Sequence, residues 1–429
     1  MFVSVAQHRE SKYLVGDPEF MSQPRVTFMP DLLVEHYEEL SFLWGQRTAA
    51  LRSSSTTLQA LRALEERIAA HVEGLLVGGG NSVGVVESGL VSTSTNEVFA
   101  AAYTMLSLND ANTTDKVLKA FLTPASESAL RGICEALCVG LVGGFVNTLE
   151  DALLKAGPLV ALAVQEVFAF HWPEKLAAVR IRGYLVDHDP VLRGAAWRVA
   201  YLRPELVTAE QTEAAVSDES PGVRWHALQV AAWAGHRWVM EDCRKAMVSP
   251  GVEKADELYL LCTLGIAADA PGILGLVSKR GLGAFRFRLL GSYAQASAVD
   301  GLIQGMIESD PMAASAAGTA FARITGHELR VTRREKLPPA DGTQPDAFEE
   351  QFLEEVELPD ALEAAEYWEA NRARFQPGLR YSQGLPLPET APFSEGFDIV
   401  SIRETCLRAA FHKKAEPKLA DLNRFPIVL

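Results

Sequence analysis

The chain has 429 residues, 48% hydrophobic and 22% charged, with 40 Lys and Arg against 55 Asp and Glu. This composition carries a buried core and excludes bulk disorder, while a net charge of −15 opposes sequence-independent binding to nucleic acid or to an anionic membrane. No run of about 18 apolar residues is present to cross a bilayer, and five cysteines, an odd number, read as reduced thiols rather than a disulfide framework.

Residues 1–28 mix charges with short apolar pieces. No secretory h-region forms there, so the segment is expected to be flexible and the location cytoplasmic, and Met21 offers a later start. A helical cap pair is expected over 29–90. Leu33, Tyr37, Leu40 and Trp44 line one face of its first helix, and Leu61, Leu64, Ile68, Val72 and Leu75 form a seam on the second. Thr56 and Gln59 make a capping box for the second helix, and Gly78-Gly79-Gly80-Asn81 ends it.

The strongest pattern is an internal period. Asp189-Pro190-Val191-Leu192-Arg193-Gly194-Ala195-Ala196 is echoed 31 residues later by Ser220-Pro221-Gly222-Val223-Arg224-Trp225-His226-Ala227. Further helix starts near Asn96, Ser128, Pro158, Val252, Leu282 and Pro311 extend the period to about eight units over 91–328. Each unit reads as two helices; where a Pro occurs, as at 158, 190, 221 and 311, it suits the first helical turn, and an Asp or Ser before it can cap the free amides. Leu192, Ala195, Ala196, Val199 and Leu202 make one apolar stripe, and Thr208 with Gln211 forms a capping box for the partner helix. A helix pair of this size cannot bury its own face, so the units must stack. Arg193, Arg224 and Arg131 recur at one position and are read as hydrogen-bonding between units. The expected fold is all-α, an α-solenoid with an N-terminal helical cap and a mixed, irregular C-terminal module.

Beyond Gly326 the composition shifts. Arg330, Arg333, Arg334 and Lys336 form a basic run, and 341–370 carries eleven acids with no Lys or Arg. Outside that stretch 44 acids meet 40 bases, so the acidity belongs mainly to one place. Residues 329–358 read as a charged mobile linker. A C-terminal module over 359–429 is expected to hold a helix from Pro359, an extended stretch around Gly378 to Pro388 and a last helix over 399–413. Its acidic and basic parts could pair with each other.

Several strings resemble a known family. His36-Tyr37-Glu38-Glu39-Leu40-Ser41-Phe42-Leu43-Trp44 and Leu61 with Glu65 to Leu75 look like its N-terminal signature. Ala320-Phe321-Ala322-Arg323-Ile324-Thr325-Gly326, Tyr367-Trp368-Glu369-Ala370-Asn371-Arg372-Ala373-Arg374-Phe375 and Gly378-Leu379-Arg380-Tyr381 look like its later motifs. It is an uncharacterised proteobacterial family of HEAT-like repeat proteins, in some genomes encoded near type VI secretion genes, and the likeness spans about residues 30 to 385. The resemblance implies the solenoid and a secretion-linked setting, with no catalytic residues to carry over.

No phosphate-binding G-x-x-x-x-G-K-[ST] or H-E-x-x-H string occurs. Cys134 and Cys138, four apart, share a helix face but lack a second ligand pair, so they read as buried thiols. Two clusters remain as candidates. Arg224, Trp225 and His226 with His236, Arg237 and Trp238 gather the residue types that dominate protein interfaces. Asp187-His188-Asp189 places carboxylates beside a histidine, an acid–base arrangement whose alternative is helix capping. The function expected is a non-enzymatic scaffold, adaptor or chaperone whose concave face grips a protein or peptide, linked to type VI effector or spike handling. The alternative is an enzyme on the same scaffold, acting on a nucleic-acid base or a small molecule. No metal or cofactor is expected, nucleic acid is disfavoured as a partner, and the oligomeric state is left open.

Overall fold

Repeated helices need repeated start signals, and the chain supplies a Pro or a capping side chain at the head of most of its repeat helices. The computed structural model describes residues 29–140, 143–339, 345–346, 348–416 and 419–429; the segment 1–28, expected to be flexible, lies outside them. Among the described residues are twenty α-helices and two small two-stranded antiparallel sheets, so the fold is all-α.

The first elements are α1 (Pro30–Ala50), α2 (Leu58–Gly78) and α3 (Gly80–Val86). Leu33, Leu40 and Trp44 are buried and Tyr37 is half-buried, as the spacing predicts. The expected capping box is replaced by a single cap one residue later. Thr57, not Thr56, accepts the Ala60 amide at 3.2 Å. The reason lies far along the chain: the Gln59 amide that Thr56 would have capped donates instead to Glu395 O at 3.0 Å.

The repeat region follows as α4 (Thr95–Ser107), α5 (Ala111–Leu122), α6 (Glu127–Val139), α7 (Val146–Lys155), α8 (Pro158–His171), α9 (Ala178–Tyr184), α10 (Pro190–Leu202), α11 (Ala209–Ala215) and α12 (Pro221–Trp233). It continues with α13 (Trp238–Ala246), α14 (Ala255–Leu264), α15 (Ala270–Gly275), α16 (Phe285–Tyr293), α17 (Val299–Met306) and α18 (Pro311–Thr325). From α4 to α18 the even-numbered helices form one row, each packed on the next, and the odd-numbered helices flank it. Each even helix begins within three residues of a start read from the period. Asp189 and Asp310 cap α10 and α18 through the Val191 and Met312 amides, at 2.8 and 3.0 Å. Ser220 caps nothing; its own amide is taken by Asp218 Oδ1 at 2.8 Å. The Thr208–Gln211 box is present in full. Close approach within the row depends on small residues: a Cβ on Gly132 of α6 would lie 2.6 Å from Thr95 O of α4.

The stretch expected as a mobile linker is partly a hairpin. β1 (Val331–Lys336) pairs antiparallel with β2 (Glu355–Pro359), so the basic run lies against part of the acidic one. Arg334 meets Glu357 at 2.7 Å, and Arg330 holds Glu363 and Asp360 at 3.0 and 3.3 Å. The pairing is physical charge complementarity across a ladder. Residues 340–344 and 347 of the acidic stretch lie outside the described residues.

α19 (Ala361–Asn371), the two-residue strands β3 (Tyr381–Ser382) and β4 (Leu385–Pro386), and α20 (Ile399–Phe411) complete the chain. The C-terminal segment lies back along the even row. Arg380 donates to the carbonyls of Cys262, Tyr293 and Gly265 at 2.8, 2.7 and 3.1 Å, at the C-terminal ends of α14 and α16. There the guanidinium meets the partial negative charge of unpaired helix carbonyls. α20 packs on α12 and α14. The last residues reach the cap: the Ile427 amide donates to Glu65 Oε2 at 3.0 Å, Arg424 donates to Phe170 O at 3.1 Å, and Phe425 sets its ring edge against Trp44 and Tyr103.

Candidate functional site

The residues singled out by sequence are dispersed among structural tasks. Asp189 is a helix cap, and Asp187 Oδ1 takes the Asp189 amide at 2.9 Å. His188, 98% exposed, stands 3.1 Å from Asp187 in solvent and not in a cleft. Arg224 donates to Asp218 O and Glu219 O within its own loop. Arg193 and Arg131 do cross between units, to Asp218 at 2.8 Å and to Glu166 at 2.8 Å. Trp225 packs edge-on to Tyr259, and His226 bonds Gly222 O at 2.7 Å with its edge to Tyr201. His236 pairs with Thr212 Oγ1 at 3.2 Å, and the buried Trp238 Nε1 has no partner. Arg237 alone of the six is exposed, and its side chain bonds to none of the described residues. The cluster therefore joins neighbouring units more than it forms one surface.

Cys134, Cys138 and Glu166 bring three ligand-type atoms within 4.8 Å of one another. Arg131 already holds the carboxylate at 2.8 and 3.0 Å, and Arg198 lies 3.8 Å away. Burial pushes the Glu166 carboxyl up, but Arg131 and Arg198 outweigh it and hold it below its ordinary 4.5. Burial drives the Cys138 thiol well up, and the Cys134 thiol donates to Ala163 O at 3.6 Å. A cation here would displace the Arg131 and Arg198 guanidiniums and meet a Cys138 thiol that burial keeps protonated, so the trio fits packing better than ligation.

What sequence reasoning missed is a buried charge cluster where α18, α20 and the N-terminal cap come together. Arg323 of α18 donates to Glu404 at 2.8 Å, to Ser401 Oγ at 3.0 Å and to Asp398 at 3.4 Å. Asp398 caps α20 through the Ser401 amide at 2.8 Å and accepts from Ser382 Oγ at 2.7 Å. Its neighbours pair with the start of α2, as Leu58 N donates to Phe397 O and Ile399 N to Thr56 O at 2.9 and 3.0 Å. One aspartate thus stands between the cap and the last repeat helix. Arg380 and Arg408 share this interior with Arg323. Arg408 Nη1 is buried without a partner, and burial with its cationic neighbours pulls that guanidinium down to about 9.

Above the cluster lies a cavity of about 450 Å³, walled by α14, α16, α18, the loop after α1, residues just before and in β2, and α20. Arg52 and Arg288 line it, and neither side chain bonds to any described residue; Glu354 supplies a carboxylate, and Tyr259 and Arg323 lie on its floor side. The chain matches no protein-family model and no curated protein.

Five histidines, His71, His171, His226, His236 and His412, are held below the ordinary 6.5, burial being the leading cause each time. The fold prefers their neutral rings. Their contribution is complete above about pH 6.5 and is lost as pH falls through the lower folded-state values. Urea midpoints are expected to drop between about pH 7.5 and about pH 5.5, with a shallower slope in His226→Gln. An unchanged midpoint over that window would contradict the assignment.

Proposed function

We propose that the chain is a non-catalytic, protein-binding scaffold or adaptor. In the setting implied by the resemblance, it would handle a type VI secretion effector or spike component, and a cytoplasmic location suits its five buried, unpaired cysteines. Among the described residues no helix is long and apolar enough to cross a membrane. The carrying observation is that the even row already holds an extended polypeptide, the chain's own C-terminal segment, through main-chain and arginine–carbonyl bonds. A partner gripped by that face, as the sequence suggested, would compete with this segment. The reading therefore moves the partner to the flanking side, where the exposed Arg237 guanidinium bonds to none of the described residues.

Co-purification with the products of neighbouring secretion genes is the test. Arg237→Ala should cut recovery severalfold with the melting temperature unchanged, because the side chain is exposed and bonds to none of the described residues. Trp225→Ala should also reduce it, with a stability loss from the Tyr259 contact. A folded protein that captures none of those products would defeat the adaptor reading. A small-molecule role, the second reading, draws support from the cavity above Arg323.

A further inference from the structure

We infer that the cavity bounded by Arg52, Arg288 and Arg323 binds a small phosphate monoester whose ester group is apolar. Its volume of about 450 Å³ lies within the range of ordinary small-molecule sites, about 300–1,000 Å³. Its lining is divided in the way such sites are. Phe285, Leu289 and Met312 supply apolar wall, and the small residues Gly291, Ala316 and Ala320 line it where α16 and α18 pack closely. The polar side holds two guanidiniums that lack any partner among the described residues, Arg52 from the loop after α1 and Arg288 from α16. Ser54 and Ser315 line the cavity too, with hydroxyls that form no hydrogen bond to the described residues.

The charge balance favours an anion. Among the described residues Glu354 is the one carboxylate lining the cavity, against Arg52 and Arg288. Arg323 is met by Asp398 and Glu404, while Arg408 beneath the floor has no carboxylate of its own. Two planar guanidinium forks and two free hydroxyls offer more donors than the two oxygens of a carboxylate can take. A phosphate, with its additional oxygen acceptors, matches them better, and arginine pairs with it bidentately. The apolar wall then takes the body of the ester.

The walls come from residues as distant in sequence as Arg52, Arg288, Glu354 and Val400. A bound ligand would touch the N-terminal cap, the last helices of the repeat row and α20 at once and would stabilise their junction by mass action.

Calorimetric titration of the full chain with octyl phosphate tests this, with inorganic phosphate and octanol as separate arms. One saturable site is expected, at least about tenfold tighter for octyl phosphate than for either fragment, together with a rise in melting temperature. Arg52→Ala and Arg288→Ala should each weaken binding about tenfold, and Glu354→Gln should strengthen it severalfold. All three residues are exposed and their side chains bond to none of the described residues, so the variants should melt as the parent does. Lack of saturable binding, octanol or phosphate binding as tightly as the ester, or an unaltered affinity in the double arginine variant would overturn the assignment.

Discussion

Arg323→Ala is expected to cost about 3–5 kcal/mol of stability, measured as a fall in the urea midpoint at constant slope. The guanidinium is 5% exposed, and its partners Asp398 and Glu404 are 0% and 1% exposed. Removing it strands two carboxylates in a site closed to water, and the penalty for an unpaired buried charge exceeds the worth of the pair itself. Arg380 is no replacement, since its donors are spent on carbonyls of α14 and α16. Pairing Arg323→Met with Glu404→Gln should recover part of the loss, because the second change removes one stranded charge. A midpoint unchanged by Arg323→Ala would mean that α20 does not dock on α18 through this cluster.

Removal of residues 419–429 is expected to cost about 5 kcal/mol or more, from three buried side chains at about 1.5–3 kcal/mol each. Those side chains are Leu419, Leu422 and Ile427, which pack with Leu58, Leu61 and Ile402. The truncation also strips Glu65 of the Ile427 amide and leaves the buried Arg47–Glu65 pair, 2% and 3% exposed, with one face bare. Trp44 keeps its stack on Phe99 at 3.5 Å but loses the Phe425 ring. A large drop in the urea midpoint, or recovery only in aggregates, is the anticipated outcome. A truncated chain as stable as the parent would show that the tail contributes no packing to the cap.

The repeats were legible because their signals act within a few residues. A Pro at the first turn, an Asp one residue earlier and a stripe of small apolar positions recur at a near-constant interval, and α10, α12 and α18 begin where those signals stand. The closure was not legible. Arg323 lies 75 and 81 residues from Asp398 and Glu404, and each alone reads as a surface charge. Only Asp398 carried a local signal, three residues before Ser401 at the head of an apolar stripe, and that predicts a helix start without saying what else the carboxylate holds.

The aromatic and histidine-rich stretch misled for a related reason. Residue type marks Trp225 and Trp238 as interface anchors, yet a repeat protein makes an interface between every pair of neighbouring units. Trp225 meets Tyr259 across one of these. The basic run was read as a linker because strand pairing depends on a partner about twenty residues away, Lys336 against Glu355, and composition carries no register.

Hydrogen–deuterium exchange across α12, α14 and α20 tests most directly whether the C-terminal segment is an integral part of the repeat row. The account predicts that the amides of Ile399–Phe411 exchange as slowly as those of Pro221–Trp233 and Ala255–Leu264, opening only with the whole fold. Fast exchange in α20 beside full protection in α12 and α14 would contradict it, and would return the even row's face to an outside partner.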